Sequence, residues 1–260
     1  MDMSSEQLKY LKEIKYNKIL VLFTQIFILI LFIILWQVLA DKNIINSFIT
    51  SSPYKIFKTI ISLFNDNNLV YHIWITVKET FISFILASVL SIIIAIILCY
   101  SKFLYKVFDP YLTILNSLPK VALGPIIIIW AGANIKAIIT MAILISIIVS
   151  TESLLNGFIN TDENKIKLLK CYGASRFSIL MNVILPSNKN TIISTLKINI
   201  SMCLIGVIMG EFLTSKAGIG HLILYGSQIF NLDLVMSGIV ILIIISVSMY
   251  KMVCMFDKRS

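Results

Sequence analysis

Six apolar stretches set the terms for this chain. They run from about Ile19 to Leu39, from Phe81 to Tyr100, through a proline-interrupted segment at 109–136, and then from about Ile135 to Leu154, Thr191 to Met209 and Leu234 to Tyr250. A helix of roughly 20 apolar residues is what crosses the hydrocarbon layer of a bilayer. Read this way the chain is all-α, a polytopic membrane protein with about six transmembrane helices. A single transmembrane domain is expected over 19–250, with a cytoplasmic segment at 1–18 and a cytoplasmic tail at 251–260. Composition agrees: 58% of residues are hydrophobic and 13% charged, about half the charged share usual in a soluble domain. The mean hydropathy is +0.93, more apolar surface than a soluble core of this size could bury.

The net charge of +9 does not call for nucleic acid as a partner. Most basic residues sit in loops beside the spans, where retained positive charge fixes orientation. With the N-terminus inside, the inner segments carry fourteen basic residues and the outer ones six, which predicts both termini on the cytoplasmic side. The first apolar run is longer than the core of a signal peptide and no small-x-small cleavage site follows it, so it reads as a retained helix. After it, Ile56, Ile60, Leu63 and Phe64 recur at helical spacing and predict a short amphipathic helix at the outer surface. Ser51-Ser52-Pro53 and Asn65-Asp66-Asn67-Asn68 are turn signals on either side. His72 and the Lys78-Glu79 pair are placed ahead of the second span. Glu79, Glu152 and Glu211 fall near expected span ends and read as interfacial anchors.

Catalytic chemistry is missing from the sequence. There is no GxxxxGK[ST] loop to cradle a phosphate and no HExxH. The two histidines stand 149 residues apart, and Cys99, Cys171, Cys203 and Cys254 have neither paired nor metal-ligand spacing. No catalytic residue, metal or cofactor is expected.

The longest polar interruption in the second half is 160–186, NTDENKIKLLKCYGASRFSILMNVILP. It reads as two short helices broken at a glycine. Asn160 is expected to cap the first, with Glu163 completing a capping box. Gly173 supplies the left-handed position that ends it. Ser175 caps the second, along which Ile179, Leu180, Val183 and Ile184 follow helical spacing. Pro186 stops that helix or marks the turn into the next span.

Gly173-Ala174-Ser175, followed by Val183, Leu185 and Pro186, resembles the EAA loop of ABC-importer membrane subunits, although Lys167, Leu168 and Leu169 occupy the Glu-Ala-Ala positions. A second block, Asp109-Pro110, Leu118-Pro119-Lys120, Ala122, Pro125 and Ile129-Trp130-x-Gly132, resembles the nitrate/sulfonate/taurine-type permeases. A third, at 210–228, shares a Gly-Glu opening and a Gly-Ile-Gly turn, and His72, Thr76, Val77 and Lys78 fit a family pattern from which Glu79 departs. The resemblance spans about residues 50–250. It implies a permease in a bacterial cell membrane, working as a homodimer with two copies of a cytoplasmic ABC ATPase and an extracellular solute-binding protein. The solute implied is a small anion, though close relatives carry thiamine-precursor pyrimidines. The 160–186 loop then becomes a coupling helix. Asp162, Glu163, Lys167, Leu168, Leu169, Gly173, Ala174, Ser175 and Pro186 are the residues placed against the ATPase.

Pro119 and Pro125 interrupt backbone hydrogen bonding within an apolar stretch, which is tolerated at membrane depth where protein or a wet cavity pairs the freed groups. That makes 109–136 a candidate pathway helix, with Asn116 and Lys120 on it; the alternative is a kinked but packed span. Lys120 is expected near mid-bilayer, where it snorkels, pairs with a carboxylate or freed carbonyls, or faces an anionic solute. Asn199, Ser201 and Glu211 complete the pathway candidates. Two other classes stay open: a secondary transporter or channel working without an ATPase, and a structural membrane protein, which would leave the paired prolines and the broken loop without a purpose.

Overall fold

The computed structural model describes residues 5–65 and 68–258, and all regular structure among them is helical. In order, α1 (Ser5–Asp41), α2 (Ser47–Thr50) and α3 (Pro53–Asn65) precede α4 (Asn68–Tyr100). Then α5 (Lys102–Ser117) meets α6 (Gly124–Ala131) through a 3-10 turn at Lys120–Leu123, and α7 (Ile135–Ile159) follows. The loop region holds α8 (Glu163–Cys171), α9 (Arg176–Ile179), a π-helical turn at Leu180–Ile184 and α10 (Leu185–Ser187). The chain closes with α11 (Lys189–Thr214), α12 (Ile219–Gln228) and α13 (Leu232–Lys258).

The centre is built from α4, α7 and α11, and on α4 the patterning reverses that of a soluble amphipathic helix. Along α4 the buried face carries Thr76, Glu79, Thr80, Ser83, Ser88 and Ser91 beside Leu69, Ala87, Ala95 and Leu98, while Ile85, Val89, Ile93 and Ile97 are exposed. Such a surface requires an apolar solvent. Polar side chains join the helices inside it. The Asn199 amide donates to Ser88 Oγ at 2.7 Å, Cys203 Sγ donates to Ser146 Oγ at 3.3 Å, and the Ser153 and Thr195 hydroxyls pair at 2.9 Å. Interhelical bonds of this kind average about 0.6 kcal/mol each in membrane proteins, so they set register more than they supply stability. The tightest approach is between α7 and α11. A Cβ at Gly206 would overlap the Ala142 backbone, and one at Gly210 would lie 2.9 Å from Ile138 Cα. Gly206 and Gly210 form a G-x-x-x-G pair that lets two backbones touch.

Helix direction follows from the contacts. Ala95 and Leu98 near the end of α4 pack with Leu154, Leu155 and Phe158 near the end of α7. At the opposite end, Glu79 and Ile82 share a cavity wall with Ile135. The two helices therefore run parallel, and the chain between Tyr100 and Ile135 must return through the apolar layer. It does so as α5 and α6, bent by 87°. Among the described residues five apolar helices are long enough to cross a bilayer, and with this broken pair counted as one span they make the expected six.

Boundaries differ from expectation in several places. The second span begins at Asn68 rather than Phe81, so His72, Lys78 and Glu79 lie within the helix and do not precede it. The fifth and sixth spans start slightly early, at Lys189 and Leu232. Helix α1 reaches back to Ser5, through the segment expected as a separate polar N-terminus. The turn residues Asp66 and Asn67 lie outside the described residues. The amphipathic helix is present as α3: Ile56 is buried, Ile60 and Leu63 pack on the core beside α13, and Phe64 stays exposed.

Replacing Gly206 with Ala should lower stability by about 1–3 kcal/mol, the cost of overpacking, because backbone must move. Gly124→Ala should cost less, since its new methyl meets only the ends of the Leu213 and Met141 side chains. Thermal unfolding of the two variants in detergent checks this. Equal midpoints would contradict a backbone-limited contact.

Candidate functional site

The 160–188 loop folds back on itself and is clamped at its base. Asp162, not Asn160, caps α8, accepting from Asn164 N–H at 2.9 Å. Asn160 instead ends α7; the chain needs one more turn before the next helix opens, and Asp162 is the first residue free to cap it. Gly173 takes φ +74. Its N–H donates to Lys170 O at 2.9 Å and Ala174 N–H to Leu169 O at 3.0 Å, a Schellman closure of α8. Ser175 Oγ then accepts from Ser178 N–H at 3.2 Å and opens α9. Pro186 does not stop the helix. It lies in the first turn of α10, directly after the π turn, and the chain runs on through Asn188 into α11.

At the base, the Asn188 amide donates to Thr161 Oγ1 at 2.7 Å and to Ile184 O at 2.9 Å, while Thr161 donates to Phe158 O at 2.9 Å. Both side chains are buried. These bonds tie the two ends of the loop to each other and to α7. On the far side, Leu168 is 57%, Phe177 64% and Tyr172 83% exposed, three large apolar groups within a polar loop. Leu169 is half-buried, and Lys167 pairs with Glu163 at 3.0 Å. That ammonium holds the Glu163 carboxyl below the ordinary carboxylate range. Tyr172, Phe177, Thr161 and Asn188 were not singled out from sequence; the exposed aromatic pair flanking Gly173 was the available signal.

The opposite end of the bundle carries a carboxylate clasp. Glu211 is fully buried and accepts from Thr76 Oγ1 and from Gly220 N–H, each at 2.6 Å. Ile219 N–H donates to Thr76 Oγ1 at 2.8 Å and Gly218 N–H to His72 Nδ1 at 2.9 Å. Side chains of α4 and α11 thus satisfy the free N–H groups at the start of α12. Gly218, at φ +111, and Gly220 leave the space, because a Cβ on either would run into the Glu211 carboxylate. Glu79, also buried, lies against Glu211, and its Oε2 has no hydrogen-bond partner. Neither glutamate is an interfacial anchor: Glu79 on α4 and Glu211 on α11 are both buried between packed helices.

The broken helix places the remaining candidates. At Pro119 the backbone takes φ −70, ψ 85 and the helix turns; Pro125 lies in the first turn of α6. Lys120 is at the break itself, and its ammonium donates to the Asn116 carbonyl at 3.0 Å and to Asn116 Oδ1 at 3.2 Å. The Asn116 amide in turn donates to Glu152 Oε2 at 2.7 Å. Lys120 therefore caps a carbonyl that the proline break left open. Asn199 is buried against Ser88, and Ser201 Oγ donates to Lys197 O at 3.3 Å. The structure brings Asn116, Pro119 and Lys120 together and sets Asn199 and Glu211 apart, between packed helices. Among the described residues no three His, Cys, Asp or Glu side chains group to hold a metal.

Residues 87–260 match the family model described as "Binding-protein-dependent transport system inner membrane component". A probable ABC transporter permease protein of Haemophilus influenzae is 27% identical over 84% of this chain and 88% of its own length. A putative aliphatic sulfonates transport permease protein of Bacillus subtilis is 23% identical over 82% of this chain and 77% of its own. Among solved structures, a bacterial ABC transporter involved in import of the acidic polysaccharide alginate has a chain of the same fold, with a TM-score of 0.66 at 15% identity, covering 96% of this chain and 99% of that one.

Glu211→Ala should remove the acceptor for Thr76 and Gly220, at about 1–3 kcal/mol for each buried donor left unpaired. Glu211→Gln retains one carbonyl acceptor and should cost less. The order wild type, Gln, Ala in thermal midpoint is the expected outcome, and an Ala variant as stable as wild type would contradict the clasp.

Proposed function

Since the chain belongs to the family of binding-protein-dependent transport system inner membrane components, we propose that two copies form a solute pathway and that each docks its 160–188 loop on a cytoplasmic ATPase. ATP hydrolysis belongs to that separate partner, and this chain is the permease of an ABC importer. The observation that carries the docking reading is the exposure of Leu168, Tyr172 and Phe177 on a loop whose base is pinned by Thr161 and Asn188. Exposed apolar groups on a rigid element mark an interaction surface. The basic bias of the inner segments supports a cytoplasmic position for the loop and both termini. Helix α1 leaves most of 19–35 exposed, an apolar surface suited to lipid and to the second copy.

In this reading, closure of the ATPases pulls on α8. The pinned base passes the movement to α7 and α11, which move together because their backbones touch at Gly206 and Gly210. An external binding protein delivers solute at the opposite end, beside α12. The solute we favour is a small anion of the nitrate, sulfonate or taurine kind. Its support is the similarity to the Bacillus subtilis protein named for aliphatic sulfonates and the cationic Lys120 at the helix break.

Gly173→Val should uncouple ATP hydrolysis from uptake. Nothing lies within 4 Å of a Cβ at that position, so crowding is not the cause. The cost is left-handed backbone strain, about 1–2 kcal/mol for an L-residue, and it redirects α9 relative to α8. Gly173→Asn should be milder. Normal ATP-driven uptake by an inserted Gly173→Val complex would contradict the lever.

For the solute, Lys120→Gln should lower uptake of an alkanesulfonate more than ATP hydrolysis, both measured in the same proteoliposomes. An unchanged ratio would make Lys120 a helix cap only and remove the structural support for an anion.

A further inference from the structure

A cavity of about 430 Å³ lies between the loop and the turn joining α4 to α5. Its floor is apolar, formed by Ile179, Leu180 and Ile184 at the π turn, where the loop joins the membrane core. Its rim carries Lys102 from α5, Lys170 from α8 and Arg176 from α9. None of the lining residues is acidic. The Glu163 carboxylate is paired with Lys167 and senses Lys102 and Lys170 at longer range, so among the described residues none of the three rim cations is in a salt bridge. The Arg176 guanidinium lies 6.0 Å from the centre of the Tyr100 ring, which orients it.

Three exposed like charges on the rim of one apolar-floored cavity together attract an anion more strongly than any one of them alone. The anion must also tolerate an apolar floor at the edge of the bilayer. We propose that this cavity binds the phosphodiester headgroup of an anionic phospholipid from the adjacent leaflet. Arg176 offers a planar fork that matches phosphate oxygens, and the two lysines add point charges. The acyl chains run down the exposed apolar side of α4 and α5, where Ile97 and Phe103 are uncovered. Because the three cations come from α5, α8 and α9, a bound headgroup ties the loop to the α4–α5 turn beside the ATPase-docking surface. The inference rests on the proposed orientation only for the choice of leaflet.

The test uses the permease–ATPase complex in nanodiscs of phosphatidylcholine with or without phosphatidylglycerol, followed by native mass spectrometry of the extracted complex. Wild type should retain phosphatidylglycerol selectively, and inorganic phosphate should not displace it. Lys102→Gln/Lys170→Gln/Arg176→Gln should weaken retention about a hundredfold, and Lys102→Gln alone about fivefold, as expected for basic residues near an anionic headgroup. Lys165→Gln/Lys189→Gln, two exposed lysines outside the cavity, should retain the lipid. The single Lys102 variant keeps the test decisive if the triple variant fails to assemble. Equal retention by the Lys102 and control variants, or displacement by phosphate alone, would overturn the inference. Retained lipid on a wild-type permease that does not hold its ATPase would uphold it while removing the docking reading.

Discussion

Everything in this molecule that must move together depends on the backbone contact between α7 and α11. In hydrocarbon there is no gain from removing leucine from its surroundings, so helices associate through close packing and a few polar bonds. Gly206 and Gly210 supply the closeness, bringing α11 onto Ala142 and Ile138. The bonds from Asn199, Cys203 and Thr195 then fix register against α4 and α7. A larger residue at either glycine would separate α7 from α11 and stretch the Cys203 and Thr195 bonds between them.

That contact turns two distant devices into parts of one body. At one end the Thr161–Asn188 clamp roots the loop where α7 ends and α11 begins. At the other, Glu211 near the end of α11 holds α4 and the start of α12. The clasp confines a carboxylate away from water with both its oxygens paired, and it leaves Glu79 beside it with an unpaired oxygen. A buried polar atom without a hydrogen bond costs stability, so what holds this end of the bundle together is the paired Glu211 and not Glu79. In the proposed transport cycle, movement falls to the broken α5–α6 pair and to the relation between the two proposed copies.

Much of this could be read from the residues. Long apolar runs gave the helices, and Gly173 and Ser175 gave the broken loop, because each depends on local chemistry alone. What was illegible depended on distant partners. The start of α4 was hidden because His72, Lys78 and Glu79 lower the local hydropathy, and the meeting of His72 with Gly218 and of Glu79 with Glu211 is known only in three dimensions. Asn160 and Asp162 are both good caps, and the choice between them turns on where α7 ends. Lys120 looked like a charge adrift in a span, yet it closes a carbonyl opened by Pro119. The Gly206/Gly210 pair is a signal present in the sequence that carried no weight until the Ala142 contact appeared.

The central claim is that loop and bundle of one copy move as a unit while the copies move against each other. Double electron–electron resonance tests it with spin labels at Asn164 on the loop and Ile97 on α4, both exposed, in the reconstituted complex with and without trapped ATP. The Asn164–Ile97 distance within a copy should stay constant, while the Asn164–Asn164 distance between copies should shift on ATP trapping. A changed distance within the copy, with none between copies, would contradict the account.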